Sequence, residues 1–462
     1  MPIIRYLKKE PGFYRNLIAL ALPIILQNVI NQLLTMIDTF MVGSLGEAAI
    51  AGVTLANTSF FVIVLFCFGI QSGASVLISQ YWGKGDTRAI NRVLGLGLMF
   101  SAAVTAVCAV LMSIFPEQII GAITDNAELI PIAAEYARII GFSIAINSVS
   151  VMYASALRAM ENPRFGMYVL SMSVLLNTFL NWIFIFGKLG VPAMGVKGAE
   201  IATLIARVVE LIITTVCALR NTDFPLRVKE IIRPGVVIFR DFIRYSAPVV
   251  VNETVWGIGY SMYTVIYGHM QNSKEILAAN VMSGSIERVM IFIVFGLGGA
   301  AAIVVGREIG RGNTDTVFEH AATIEILSFI LGAVLGGILI VSALTFLPGV
   351  VSGAMELSDM SVDFFTVSLI MLAAAMPVKA VNYCTIVGVL RGGGDVKAAL
   401  AIDSATMYAF AVPLAALFGL VFKTHVYVVF AILNVEEVIK LIPALRRFTS
   451  RKWIRVVTRD EI

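Results

Sequence analysis

The chain has 462 residues, 58% of them apolar and only 14% charged, with a mean hydropathy of +0.89 and a formal net charge of +4. Soluble domains carry about 25% charged residues, so this composition excludes a soluble globular protein and implies a polytopic protein of the lipid bilayer. So small a net charge carries no information until the basic residues are sorted by side of the membrane.

Runs of about 20 apolar residues predict twelve membrane helices. The first covers 16–42 and carries a polar stripe of Gln27, Asn31, Thr35 and Asp38, spaced by four, four and three. That spacing puts all four side chains on one helix face. In lipid the stripe would be costly; facing a wet cavity it makes an ion or proton site, and interhelical hydrogen bonding is the plainer alternative. The second helix, 49–80, exceeds one bilayer crossing and is expected to tilt, bend or project. It ends at Gly83-Lys84-Gly85-Asp86, a tight cytoplasmic reversal, since no Gly-Lys-Ser/Thr follows as in a phosphate loop.

Helices at 93–115 and 132–157 come next, the latter with Glu135 and Arg138 three apart and able to pair. The fifth, 165–187, has a polar patch of Asn177 and Asn181; the sixth, 198–219, has a pairable Arg207 and Glu210. The polar stretch from Arg220 to Arg244, with Pro225 and Pro234-Gly235, reads as a linker. In the seventh helix, 245–268, Glu253 is followed by Trp256, Tyr260 and Tyr267 on nearly one face, with Tyr263 beside them. A buried acid beside aromatic faces suits a lipophilic cation, each ring adding about 0.5–2 kcal/mol; such stripes are also ordinary packing. The remaining helices are 277–306, 320–347, 363–390, 398–421 and 427–445. They carry Glu287 beside Arg288, Glu325, Lys379, Asp403, and the pairable Glu437 and Lys440. Glu287, Lys379 and Asp403 have no partner on their own helices, so they form either a neutralising network or a proton site.

The two halves repeat. Pro23 answers Pro248 at an offset of 225, Gly83 answers Gly310 at 227, and Leu157-Arg158-Ala159 answers Leu390-Arg391-Gly392 at 233. Six spans per half make parallel repeats, the usual build of a secondary transporter. The expected division is a lobe at 1–220, a cytoplasmic linker at 221–244, and a lobe at 245–462 with a basic tail. With cytoplasmic termini, 25 of the 34 Lys and Arg residues lie inside, while only Lys188, Lys197, Lys274 and Lys423 lie outside. The positive-inside rule therefore fixes both termini in the cytoplasm of a multi-pass plasma-membrane protein, and the basic stretches are topology signals, not a nucleic-acid surface. Cys67, Cys108, Cys217 and Cys384 fall inside spans as packing residues, and His269, His320 and His425 are scattered. Neither set makes a disulfide framework or zinc site. The N-terminus has no cleavable signal pattern. Without a Walker sequence, an ion gradient is the expected energy source.

These motifs resemble the multidrug and toxic compound extrusion (MATE) family. The residues that carry the resemblance are Pro23, Asp38-Thr39, Met41-x-Gly43, Gly83-Lys84-Gly85-Asp86 and Leu157-Arg158, then Pro248, Gly310-Arg311-Gly312 and Leu390-Arg391-Gly392-Gly393-Gly394-Asp395. The resemblance covers essentially the whole chain. It implies an all-α membrane protein with twelve helices in two pseudo-symmetric six-helix lobes, exporting organic cations and other drugs against inward Na⁺ or H⁺. It further implies cation coupling at Asp38, Asn177, Asn181 and Thr203, with Asn181 standing where several members carry an aspartate. Glu253 resembles a seventh-span glutamate found in part of the family, and Glu287 and Asp403 are its companions. Gln32, Trp256, Tyr260 and Lys379 are the candidate cargo contacts. No cofactor, catalytic residue or resident metal is expected beyond a coupling ion, and the protein is expected to act as a monomer.

Two rivals compete with this reading. A lipid-linked oligosaccharide or peptidoglycan-precursor flippase would need cationic cavities. The span charges without partners on their own helices are mostly acidic instead: Asp38, Glu253, Glu287, Glu325 and Asp403 against Arg288 and Lys379. A membrane-embedded enzyme would need a nucleophile–base pair or a His-Glu-x-x-His sequence, and neither occurs.

Overall fold

The structure, a computed structural model, describes residues 3–355 and 358–460. Among them are twelve long helices and no strand. They are α1 (Pro11–Gly43), α2 (Glu47–Lys84), α3 (Thr87–Ile114), α4 (Leu129–Ala159), α5 (Pro163–Phe186), α6 (Val196–Arg220), α7 (Val236–Gly268), α8 (Ser273–Gly310), α9 (Thr314–Thr345), α10 (Asp359–Leu390), α11 (Val396–Val421) and α12 (Val426–Thr449). The duplication reaches helix lengths: α1 and α7 both have 33 residues with an internal proline, and α2 and α8 both have 38. At 1.5 Å per residue, 38 residues make about 57 Å, well beyond one bilayer, as their long apolar runs predict.

Ten of the twelve are long and apolar enough to cross a membrane. The others, α7 and α12, hold buried polar groups near their middles: Asn252 and Glu253 on α7, Glu436 and Lys440 on α12. Large apolar side chains such as Phe40, Leu219 and Leu344 are fully presented outward, as a lipid-facing surface requires.

The chain forms two compact units. One contains residues 26–250 and 458–460, the other 3–25 and 251–457. Both divisions fall inside long helices, two residues after Pro23 in α1 and two after Pro248 in α7.

In the first unit, small residues let backbones meet. A Cβ on Gly73 would lie 2.4 Å from Ser246 Cα, and one on Gly69 2.6 Å from Val250 Cα. Such close approaches are the main source of packing energy between helices in lipid. The stretch expected to be a linker is docked here. Its short helix Val228–Ile232 brings the Ile231 carbonyl against Gly95 of α3, and Arg92 donates to Glu230 at 2.5 Å. The guanidinium holds the Glu230 carboxyl below its ordinary value. This clasp is therefore complete above the ordinary glutamate range and is lost as pH falls through the lowered value. The turn after α2 is a left-handed reversal at Gly85 (φ +79°), and Asp86 caps α3 by accepting from the Ala89 amide at 3.0 Å.

In the second unit, the N-terminal half of α1 sits in an apolar cluster with α8 and α9: Leu17, Leu20 and Ile24 meet Ala300, Val304 and Ile324. The duplicated turn repeats its geometry at Gly312 (φ +82°). Residues 450–457, after α12, stay in the same unit, with Trp453 fully buried against Phe448 and Gly393, and Asp395 held by Arg447 at 2.6 Å and Arg455 at 2.9 Å. Two stretches of α11, Met407–Ala411 and Leu417–Val421, and the end of α10, Cys384–Leu390, are π-helical. Such insertions are common at functional sites.

Candidate functional site

The first unit builds one polar centre from the stripe on α1. Gln27 is buried and accepts from Arg158 of α4 at 3.5 Å, and Asp38 lies about three helical turns further along, half-buried. The Asn181 amide of α5 donates to an Asp38 carboxylate oxygen. One turn away, Asn177 donates to Thr203 of α6 at 3.0 Å. The four residues expected here thus form two bonded pairs joined through α5. The Asn181 side-chain oxygen is buried and without a hydrogen-bond partner, which leaves an oxygen ligand beside the carboxylate. Asp38 makes no ion pair among the described residues. The nearby Arg207 is bound to Glu210 at 2.6 Å, the pair expected from their spacing, and Asn147 of α4 donates to the same Glu210 at 2.9 Å. The Glu135–Arg138 pairing is corrected: Glu135 meets Lys197 at 2.6 Å, across from α4 to α6.

The second unit builds a larger polar network in which each expected acid has a cationic partner on another helix. Glu253 of α7 meets Arg391 at 2.5 Å, Glu287 of α8 meets Lys379 of α10 at 2.5 Å, and Asp403 of α11 meets Lys440 of α12 at 2.9 Å. Lys440 is a hub, with Glu436 at 3.0 Å and Glu437 at 3.8 Å. The Glu437–Lys440 pair read from spacing is therefore the longest of its three contacts. Neutral donors complete the set: Asn252 to Asp403 at 3.2 Å, Tyr263 to Glu436 at 2.9 Å, and Asn382 to Glu437 at 2.7 Å. Asp403, Glu436, Glu437 and Glu287 face two lysines, an excess of two negative charges when all ionise that falls to one with Arg288, which bears on Tyr260 together with Glu287 and Lys379.

The aromatic candidates border this network. Trp256 and Tyr260 stack at 5.6 Å and are partly exposed, and Tyr260 meets Tyr263 edge-on at 6.3 Å. Tyr267 is buried and packs on Phe430, so it is core and not lining. The acid beside these rings is Glu287 with Lys379, whereas the charge of Glu253 is taken by Arg391. Gln32 is half-exposed on α1 in the first unit and shares no element with the other cargo candidates.

Sequence reasoning missed several of these groups. Arg391 was visible only as part of the repeated Leu390-Arg391-Gly392 motif but is buried, at 3% exposure, and Glu436 is hidden beside Glu437 in sequence. Glu200 of α6 was signalled only by being an acid inside an apolar run. It is 1% exposed, and neither carboxylate oxygen has a hydrogen-bond partner among the described residues.

Comparison with known proteins agrees with this architecture. The MatE family model matches residues 23–183 and 248–417, one match per repeat. A probable multidrug resistance protein NorM of Thermotoga maritima is 27% identical over 99% of this chain and 97% of its own length. The probable multidrug resistance protein YoeA of Bacillus subtilis is 26% identical over 72% and 73%. Among solved structures, a MOP superfamily transporter from Pyrococcus furiosus superposes with a TM-score of 0.84 over 97% of this chain and 98% of that one, at 19% identity. The eukaryotic MATE transporter AtDTX14 does so at 0.83 over 96% and 98%, also at 19% identity. At that identity the superpositions establish the fold, twelve membrane helices in two six-helix repeats. With both repeats matched by the family model, this chain belongs to the MatE family.

Proposed function

We propose that this protein is a secondary active multidrug efflux transporter that exports lipophilic organic cations in exchange for H⁺ or Na⁺, acting as a monomer with both termini cytoplasmic. The observation that carries the reading is the charge of the second unit's network, where four carboxylates face two lysines beside the open Trp256–Tyr260 stack. A buried excess of negative charge is costly unless a cation or a proton offsets it. A cargo cation supplies that offset in this network, and a coupling ion held at Asp38 acts on it through a conformational equilibrium that both sites bias. Relatives named as probable multidrug resistance proteins support drug export. A flippase for anionic lipid-linked precursors would need the opposite sign of charge excess.

The proton is the favoured coupling ion. Asp38 is the carboxylate hydrogen-bonded to Asn181, and neutral Asn177 and Thr203 lie beside it. One carboxylate is enough to hold a proton, whereas Na⁺ takes several oxygen ligands and gains from more negative charge. Efflux of a fluorescent lipophilic cation from cells making the protein should collapse when a protonophore is added. Unchanged efflux with protonophore and sodium ionophore together would refute gradient-driven export.

A further inference from the structure

A buried carboxyl outside both networks is left without a role. Glu325 is the twelfth residue of α9, about 17 Å along the helix from its start, within the membrane-crossing part. It is 7% exposed, and neither carboxyl oxygen has a hydrogen-bond partner among the described residues. The polar or titratable side chains beside it are Thr385 and Cys384 of α10 and Ser328 one turn on along α9. The Thr385 hydroxyl is itself fully buried and unpartnered. From α1 and α8 the neighbouring cluster supplies Ile24, Leu297, Ala300 and Ala301, all apolar. His320, five residues earlier on α9, is stacked on Phe13 at 4.8 Å. No ion pair among the described residues offsets Glu325, in contrast to Glu253, Glu287 and Asp403.

An ionised carboxylate in such a place would lack a countercharge, with the Thr385 hydroxyl as its nearest donor, and a buried group without a countercharge neutralises itself by taking a proton. Cys384 and Thr385 open the π-helical run Cys384–Leu390. A π-helical turn holds one residue more than the α-helical turn it replaces, and converting it shifts the register of the side chains beyond it. Such a shift would move Cys384 and Thr385 relative to Glu325, change its solvation, and so change its hold on the proton.

We propose that Glu325 is a second proton-binding site of this transporter, loaded in the conformation seen here and emptied when the Cys384–Leu390 turn rearranges. The step is the dissociation of one carboxylic acid into a carboxylate and a proton, with no other bond made or broken. The proposal rests on the proton-coupled reading above, and its test separates the two.

The full-length protein, reconstituted in lipid, is examined by infrared spectroscopy at neutral pH for the carbonyl stretch of protonated carboxyl groups. Glu325→Gln should lose one such band relative to the wild type, while Glu325→Asp should keep a shifted one. In proteoliposomes under a pH gradient, Glu325→Gln, which cannot release a proton, should lose cation exchange while retaining binding of the labelled cation. An unchanged carboxyl band in Glu325→Gln would overturn the proposal by showing that Glu325 is ionised. A lost band with undiminished exchange would overturn it as well, since the proton would then be static. Wild-type protein that shows the band but ignores the pH gradient refutes proton coupling, and with it the emptying step, while leaving the loaded carboxyl established.

Discussion

Asp38→Asn is expected to abolish ion-coupled efflux while the protein still folds and inserts. Asparagine keeps the volume of the aspartate and an oxygen that can accept from the Asn181 amide, the one hydrogen bond that Asp38 makes across to α5. What disappears is the charge and the capacity to carry a proton. Exchanging a charge-assisted hydrogen bond for a neutral one changes stability by something on the order of 1 kcal/mol, far less than unfolding requires. Because no ion pair holds Asp38 in place, no stranded cation is created either. The check is paired: melting of the purified variant against wild type, and gradient-driven uptake of a labelled cation into inside-out vesicles. A folded variant transporting at the wild-type rate would remove Asp38 from the mechanism.

Lys440→Met should have the opposite character, a large loss of stability. Lys440 is 5% exposed and lies within 4 Å of three carboxylates on α11 and α12, namely Asp403, Glu436 and Glu437. Removing one partner of a buried ion pair costs about 3–5 kcal/mol, because the other charge stays buried and uncompensated, and here three acids lose their shared cation. Adding Asp403→Asn to Lys440→Met removes one of the stranded charges and should recover part of the loss. Thermal unfolding in detergent at neutral pH compares the variants. Equal melting temperatures for Lys440→Met and wild type would mean that these acids already hold protons and that the network carries no charge excess.

The two variants contrast because the sequence exposes one kind of partnership and hides the other. Helical periodicity placed Gln27, Asn31, Thr35 and Asp38 on one face and paired Arg207 with Glu210, since both depend only on spacing within a helix. The twelve helices and the repeat were legible for the same reason, as apolar runs and constant offsets. Partners on different helices were not. Glu253 and Arg391 are separated by 138 positions, and Glu135 prefers Lys197 of α6 to Arg138 three residues along its own helix. Nothing local encodes which faces meet. Glu253, Glu287 and Asp403 therefore read as unpaired acids when each has a cation beside it. The stretch 221–244 read as a linker because its polarity is visible, whereas the meeting of the Ile231 carbonyl with Gly95 is not. The π-helical turns of α10 and α11 leave no signature in hydropathy at all.

The central claim, proton coupling through Asp38, is tested most directly by cation exchange in proteoliposomes under two imposed gradients. One is a pH gradient without sodium; the other is a sodium gradient at equal pH. Wild type, Asp38→Asn and Glu253→Gln are compared under both. Exchange should be driven by the pH gradient alone and be lost in Asp38→Asn. Exchange driven by sodium alone, lost in Glu253→Gln and kept in Asp38→Asn, would contradict the claim and move the coupling site to the second unit.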